Sequence, residues 1–337
     1  MPSPAETGTS DVGGTAQRYA VALCTYRGTR FVAAQLNSIF EAAPACDELV
    51  LVDDASGDDT MEVVERTIGA WPGRTVIEVN AVNRGSLKSF EHALRLTTEP
   101  IVFLADQDDL WYPHKPARML AEFAKRPDLL LLHSDARLVD DATRPLGHTL
   151  LGALEASREE RAAIRRGDAF DAFVRRNLAT GATMAMRRSV LDVALPIPDG
   201  WVHDEWLAVI ASAVGTVDFL DEPLIDYRQH AANQIGARKL SLRDKVVKAF
   251  DKPGDYYDRQ LIRASSLLER LVSLGSRVPP DRLAKVRDKL AHLRVRAALP
   301  GNRVARLRPI AGEWMSGGYR RYSTGMKSLV RDLLHAA

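Results

Sequence analysis

Cysteine is nearly absent: Cys24 and Cys46 are the two thiols in 337 residues. Two thiols cannot build a disulfide scaffold or a four-thiolate zinc site, and they suit a reducing compartment. Long apolar runs are missing as well. Leu129–Leu132 is among the densest apolar stretches and falls far short of the ~20 residues that span a bilayer. The start, to about Gln17, is rich in Gly, Ser, Thr and Pro and has no basic segment followed by an apolar core. It reads as a disordered leader, not a signal peptide. No helix-turn-helix, RRM-like or zinc pattern occurs, and aromatics are not interleaved with basic residues as stacking platforms, which argues against nucleic acid as a partner. These absences predict a cytoplasmic, soluble protein.

What is present is globular in composition, 46% hydrophobic and 27% charged. The length suggests two domains, or one large domain with an appendage. A net charge of +2 conceals a division. Residues 236–337 hold 23 basic and 9 acidic side chains, a net +14, while residues 1–235 hold 23 basic and 35 acidic ones, a net −12. Such asymmetry concerns partners rather than fold.

Short apolar runs alternate with helical patterns along the first third of the chain. Tyr19–Thr25, Leu49–Val52, Thr75–Val79 and Pro100–Ala105 read as strands. Phe31–Phe40, the stretch from about Asp59, and Ser86–Leu96 read as helices between them. This order predicts an α/β fold with a parallel sheet and crossover helices. Runs without alternation imply strands covered on both faces. Ligands of open α/β sheets bind beyond the carboxyl ends of the strands. Thr25-Tyr26, Asp53-Asp54 and Asp106-Gln107-Asp108-Asp109 fall at three such ends. After about Leu130 the regularity fades, with further strands at Thr180–Met186 and Thr216–Leu220 and helix from Phe250 to Leu299.

Asp106 and Asp108 place two hard oxygen ligands after a buried strand, which suits Mg²⁺ or Mn²⁺ completing its shell with substrate phosphates. A calcium loop is excluded because Asp53–Thr60 lacks the required spacing. A phosphatase-type nucleophile is excluded because Leu110 holds the threonine position.

The ordered segments CTYRGTRFVAAQLNSI, LVLVDDASGDDT, NRGSLKSFEHAL and PIVFLADQDDLWYPHK resemble the nucleotide-sugar-binding half of a family 2 glycosyltransferase. TGATMAMRRSVL, GWVHDEWLAVIASAVG and DYRQHAANQIGA are similar to its rhamnosyltransferase branch. The resemblance covers about Tyr19 to Ala237 and implies a GT-A fold: a Rossmann-like mixed, mostly parallel sheet flanked by helices, followed by a helical basic C-terminal region. It divides the chain into a leader (1–17), a catalytic domain (18–237, with a nucleotide-sugar half 18–112 and an acceptor half 113–237) and a C-terminal extension (238–337).

The resemblance also implies roles. Thr25 and Tyr26 border the base, and Asp53 and Asp54 accept hydrogen bonds from base and ribose. Arg84 and Lys88 lie on the nucleotide side, although an exposed helix start explains them equally well. Asp106 approaches ribose or metal, Asp108 binds Mg²⁺ or Mn²⁺, and Arg228 and His230 meet the diphosphate and metal. Asp204 is the acid that deprotonates the acceptor hydroxyl, ahead of its neighbour Glu205. Thr180-Gly181-Ala182 is an acceptor-side loop, and Trp111 is packing or sugar contact. The implied reaction is an inverting transfer from a nucleotide-sugar to a glycan or polyprenyl-diphosphate-linked acceptor. dTDP-L-rhamnose is the first choice of donor and a UDP-sugar the second. A sugar-1-phosphate nucleotidyltransferase would need a Gly-rich phosphate loop that CTYRGTR does not supply. A non-catalytic scaffold is disfavoured by the intact Asp106, Asp108 and Asp204.

Two stripes in the basic tail remain. Leu242, Val246 and Phe250, and then Met326, Leu329, Val330, Leu333 and Leu334, recur at helical spacing beside Arg and Lys. They suit an anionic membrane surface on the inner face of the cell membrane, or packing on the catalytic domain or on a second subunit of a homodimer.

Overall fold

The computed structural model describes residues 17–69, 71–230 and 256–334. The leader expected over 1–17 (Gln17 apart), the stripe expected over Lys239–Phe250 and the 237/238 boundary lie outside these residues.

Strands β1 (Tyr19–Thr25), β2 (Glu48–Asp53), β3 (Arg74–Val79) and β4 (Ile101–Asp106) run parallel in the order β3-β2-β1-β4. Helices α1 (Val32–Phe40), α2 (Thr60–Ile68) and α3 (Ser86–Leu96) make the crossovers. Successive strand side chains point to opposite faces, and this sheet is covered on both. Val21, Leu23, Leu49 and Leu51 pack with Val32, Leu36 and Ile39 of α1 and Val64 of α2. Ala22, Val50, Val52 and Leu104 pack with Phe90, Ala93 and Leu94 of α3. Register then aligns the strand ends: Thr25 lies opposite Asp53, and Cys24 opposite Asp106. The three polar clusters anticipated from sequence therefore share one sheet edge.

Beyond β4 the sheet becomes mixed, with β5 (Leu110–Trp111), β6 (Leu129–Val139), β7 (Pro145–Thr149), β8 (Met184–Arg187) and β9 (Thr216–Arg228). β8 is antiparallel to both β4 and β6, and β9 is parallel to β6 and antiparallel to β5. The eleven-residue β6 continues through the region where the sequence pattern fades. Its buried centre is His133, Ser134 and Asp135, which breaks the apolar signal. The segment Thr180–Met186 is a turn of 3₁₀ helix (Gly181–Thr183) leading into β8, not one strand.

The helices of this half are α4 (Lys115–Lys125), α5 (Leu150–Ala153), α6 (Arg158–Arg165), α7 (Ala169–Arg175), α8 (Leu191–Ala194) and α9 (His203–Val214). In α9 the residues from Trp206 to Ala213 are all buried, so it is a central helix rather than an amphipathic cover.

The described part of the basic region, from Tyr256, is helical: α10 (Tyr256–Ser273), α11 (Pro280–Ala297), α12 (Arg303–Met315), α13 (Gly318–Tyr322) and α14 (Met326–Leu334). Leu267 and Leu271 of α10 enter the same core cluster as α9. Arg270 donates to the carbonyls of Val193, Leu195 and Pro196, Arg282 to that of Ser212, and Lys289 to that of Val174. The last three helices close a smaller core of Leu299, Ile310 and Tyr319 with Leu329 and Leu333. Buried Asp332 ties it together, accepting from Arg296, Tyr257 and Tyr319. Met326 and Val330 of the expected stripe stay 57% and 42% exposed. No described helix is long and apolar enough to cross a membrane.

Candidate active site

A cavity of about 420 Å³ opens at the carboxyl edge of the parallel strands, within the roughly 300–1,000 Å³ of ligand pockets. Its wall includes Thr25, Tyr26 and Asp54 from the first two strand ends, Asp106, Gln107 and Asp108 from the end of β4, and Asn177, Gly181, His203 and Asp204 from the later half of the chain.

At the strand ends the carboxylates serve the protein's own backbone. Asp53 is buried, accepts from the Thr25 hydroxyl at 2.7 Å and from the Ser56 N–H at 2.9 Å, and does not line the cavity. Asp54 lines it, but accepts from the N–H groups of Arg84 and Gly85 and from the Asn80 amide, each at 2.8 Å. Those N–H groups lead into α3, so the charge also complements the start of the helix. Gly85 has φ +80 with open space around it, a backbone setting that favours glycine. The Arg84 side chain is exposed, and Lys88 pairs with Asp199 at 3.0 Å; neither lines the cavity.

Gln107 was not singled out from sequence. Its amide accepts from the Tyr26 N–H at 2.9 Å and donates to the Tyr26 carbonyl at 3.0 Å, bracing the ends of β1 and β4. A Cβ on Gly28 would meet its oxygen at 2.2 Å, so a larger residue there would displace the Gln107 amide.

Asp108 Oδ2 lies 2.7 Å from His230 Nε2, and the His230 ring stacks on Phe31. Among the described residues no three His, Cys, Asp or Glu side chains form a metal centre. Two protein donors still fit Mg²⁺ or Mn²⁺, which commonly keep water and substrate phosphate as their other ligands. The buried acids beside the pair also suit a cation. Asp106 is pushed up to about 7, first by burial and then by the charges of Asp108 and Asp204. Asp109 is raised well above the usual range by burial and by Asp108 and Asp106. Lys115, buried, is lowered to about 7 by desolvation against the pull of Asp109 and Asp106.

Arg228 is buried, donating to the carbonyls of Asp108 at 2.7 Å and Asp141 at 2.8 Å, with its guanidinium over Phe31. It holds the Asp108 loop and does not line the cavity. Trp111 is packing: it sits in the core against Phe103 and beneath the Lys115 ammonium.

Asp204 occupies the first turn of α9. Its oxygens accept from the Gly181 N–H at 3.1 Å, the Glu205 N–H at 2.5 Å and the Asn177 amide at 3.2 Å. Burial nevertheless pushes its carboxyl up to about 7, and the Glu205 charge adds to the rise. His203, which opens this helix and was given no role from sequence, has neither ring nitrogen bonded and stacks on Phe90 at 4.0 Å. Desolvation lowers it to about 3, so the ring is neutral. A Cβ on Gly181 would meet His203 Nε2 at 2.8 Å, which explains the small residue in that loop.

Comparison with solved structures supports this architecture. Staphylococcus aureus TarS 1–349, solved with UDP-GlcNAc, superposes with TM-score 0.57 at 15% identity, covering 94% of this chain and 90% of that one. A mannosyltransferase from Pyrobaculum calidifontis, solved with GDP-Man and Mn²⁺, gives 0.52 at 18% identity over 95% and 87%. The fold is thus that of the GT-A glycosyltransferases. The family model described as "Glycosyl transferase family 2" matches residues 20–194. That is just over half of the chain, and the protein belongs to this family of enzymes. Among curated relatives, an uncharacterized glycosyltransferase of Nostoc sp. is 24% identical over 220 residues, 64% of this chain and 66% of that protein. The dTDP-rhamnosyl transferase RfbG of Shigella flexneri is 23% identical over 264 residues, 73% and 84%. The chain thus spans just under two thirds of the first relative's length and more of the second's.

Proposed function

We propose that the enzyme transfers a sugar from a nucleoside diphosphate donor to an acceptor hydroxyl with inversion, Asp204 serving as general base. The observation that carries this reading is one cavity whose wall joins Thr25, Tyr26 and Asp54 to Asp106 and Asp108, and both to Asp204. Tyr26 offers the base a ring face, and Asp54 has the remaining acceptor capacity of an ionised carboxylate. Asp204 accepts the hydroxyl proton as the acceptor oxygen bonds to the anomeric carbon. The bond from that carbon to the diphosphate breaks, and its electron pair leaves with the nucleoside diphosphate. A divalent cation held by Asp108 and His230 would offset the charge gathering on that leaving group. Asp204 has to be ionised to act, so activity should fall as pH drops through about 7.

The similarity to a dTDP-rhamnosyl transferase favours dTDP-L-rhamnose as donor. A UDP-sugar is second, favoured by the UDP-GlcNAc complex of the similar fold. The acceptor is a hydroxyl of a cell-envelope glycan or polyprenyl-diphosphate-linked sugar, met at the cytoplasmic face of the membrane. The tail supports that location. Val304, Leu307 and Met315 of α12 are 75%, 53% and 80% exposed, near exposed Arg303 and Arg308. The only acids of α12 and α14 are turned inward: Glu313 bonds His292, and Asp332 bonds Arg296. A basic, apolar face without exposed acid complements an anionic bilayer.

Donor and metal are tested together by thermal unfolding with dTDP or UDP, each with and without Mn²⁺. The nucleotide should stabilise the wild type more with Mn²⁺ than without, and Asp108→Ala should lose the metal-dependent part. Equal stabilisation in both proteins would remove the cation from Asp108.

A further inference from the structure

The basic tail carries no motif of its own, yet one of its side chains reaches the first turn of α9. Arg263 of α10 forms an ion pair with Glu205, the residue after Asp204. Both side chains are 18% exposed. The Arg263 guanidinium also lies over the Trp201 ring, 4.4 Å from its centroid. The Trp201 indole N–H donates to Ser266 of α10 at 2.9 Å. The approach to α9 is therefore clamped to α10 by two side chains of that helix.

Glu205 needs such a partner. Its carboxylate sits beside the Asp204 carboxyl, and its own N–H bonds Asp204 Oδ1 at 2.5 Å. Two adjacent negative charges in a partly buried site repel, and each disfavours ionisation of the other. An Arg guanidinium removes this conflict because it stays charged at any working pH.

We infer that Arg263 is a positioning residue of the active site: through Glu205 it fixes the start of α9 and cancels the negative charge next to the base. The C-terminal helical region is then part of the catalytic apparatus as well as a docking surface. This inference rests on the reading of Asp204 as base.

Other groups around Asp204 set the background. On its own helix, His203 is held neutral by burial. From β4, Asp106 is raised first by burial and then by the charges of Asp108 and Asp204. From β9, Tyr227 is raised first by burial and then by Asp109, Asp106, Asp108 and Asp204, and stays protonated. From α11, buried Lys289 feels Arg263 and Glu205 with opposite sign. The Asn177 amide and the Gly181 N–H are neutral donors. Arg263 is thus the cation paired with the acid next to the base.

The test is a ¹³C NMR titration of the Asp204 carboxyl in full-length protein labelled at Asp, with the signal assigned by its loss in Asp204→Asn. Arg263→Gln should move the Asp204 midpoint up by about one pH unit, and Glu205→Gln should move it down. The double variant Glu205→Gln/Arg263→Gln should return close to wild type. A role confined to packing would move both single variants in the same direction, or neither, and would overturn the inference. If Arg263→Gln does not fold, the Glu205→Gln and double-variant midpoints decide alone. The acidic limb of dTDP-L-rhamnose turnover should follow the titration, a one-unit rise giving about a tenfold loss at pH 6. Failures are distinguishable. Unmoved midpoints with an inactive Asp204→Asn sink the ion-pair role alone, whereas moved midpoints with an active Asp204→Asn sink the base assignment.

Discussion

The proposed donor end, after β2, and the proposed acceptor end, at the start of α9, treat their acids in opposite ways. At the donor end, Asp53 and Asp54 are satisfied by the protein itself: Thr25 and Ser56 for one, Arg84, Gly85 and Asn80 for the other. At the acceptor end, Asp204 is held at about 7 and His203 stays buried with neither nitrogen bonded. The donor end is a preorganised frame whose charges stabilise loops. The acceptor end keeps Asp204 and His203 buried at a cost in stability, as the proposed role of Asp204 as base would require. A carboxyl raised to about 7 holds its proton more tightly in the folded state than in the unfolded chain. Its contribution therefore erodes stability as pH rises from its unfolded pKa, near 4, to 7.

The contrast can be broken by substitution. The largest effect is expected at the acceptor end, where Asp204→Asn should lower turnover of dTDP-L-rhamnose by about 10²–10⁴-fold. Its circular dichroism should match the wild type, and near-normal turnover by the folded variant would remove Asp204 as base. At the donor end the larger effect should fall on stability. Asp54→Ala leaves two backbone N–H groups and the Asn80 amide without their acceptor, a loss of about 1–3 kcal/mol measurable by denaturant unfolding. Unchanged stability would show that the donor frame does not depend on that carboxylate. The smallest effect concerns the outer face of the tail. Val304→Ser/Leu307→Ser/Met315→Ser should weaken flotation with phosphatidylglycerol vesicles while leaving turnover of soluble substrate unchanged. Equal flotation of both proteins would exclude this face as the membrane contact, and dimerisation of the wild type alone would assign it to a second copy.

The donor frame was legible in the sequence because its strands are buried on both faces. Apolar runs such as LVLV and IVFL end sharply at the polar strand ends, and Ser86–Leu96 is a helix with the expected bounds. The acceptor half was harder to read. In β6 an apolar run passes into buried His133, Ser134 and Asp135, and a strand whose centre is polar carries no period-2 signal. The site was partly legible for a similar reason. Asp106, Asp108 and Asp204 stand in recognisable motifs, but Gln107 and His203 act through contacts with distant segments that no spacing reports. Arg228 has a place in its motif, yet the structure uses it on the carbonyls of Asp108 and Asp141. Arg263 was hidden among 23 basic residues of the tail, since only packing brings it to Glu205.

The proposed reaction is a single displacement at one cavity with Asp204 taking the proton. ¹H NMR of the sugar transferred or released from dTDP-L-rhamnose with Mn²⁺ tests it, released sugar being recorded before it can mutarotate. The first-formed anomer is expected to have the configuration opposite to the donor's. Retention of the donor configuration would contradict it.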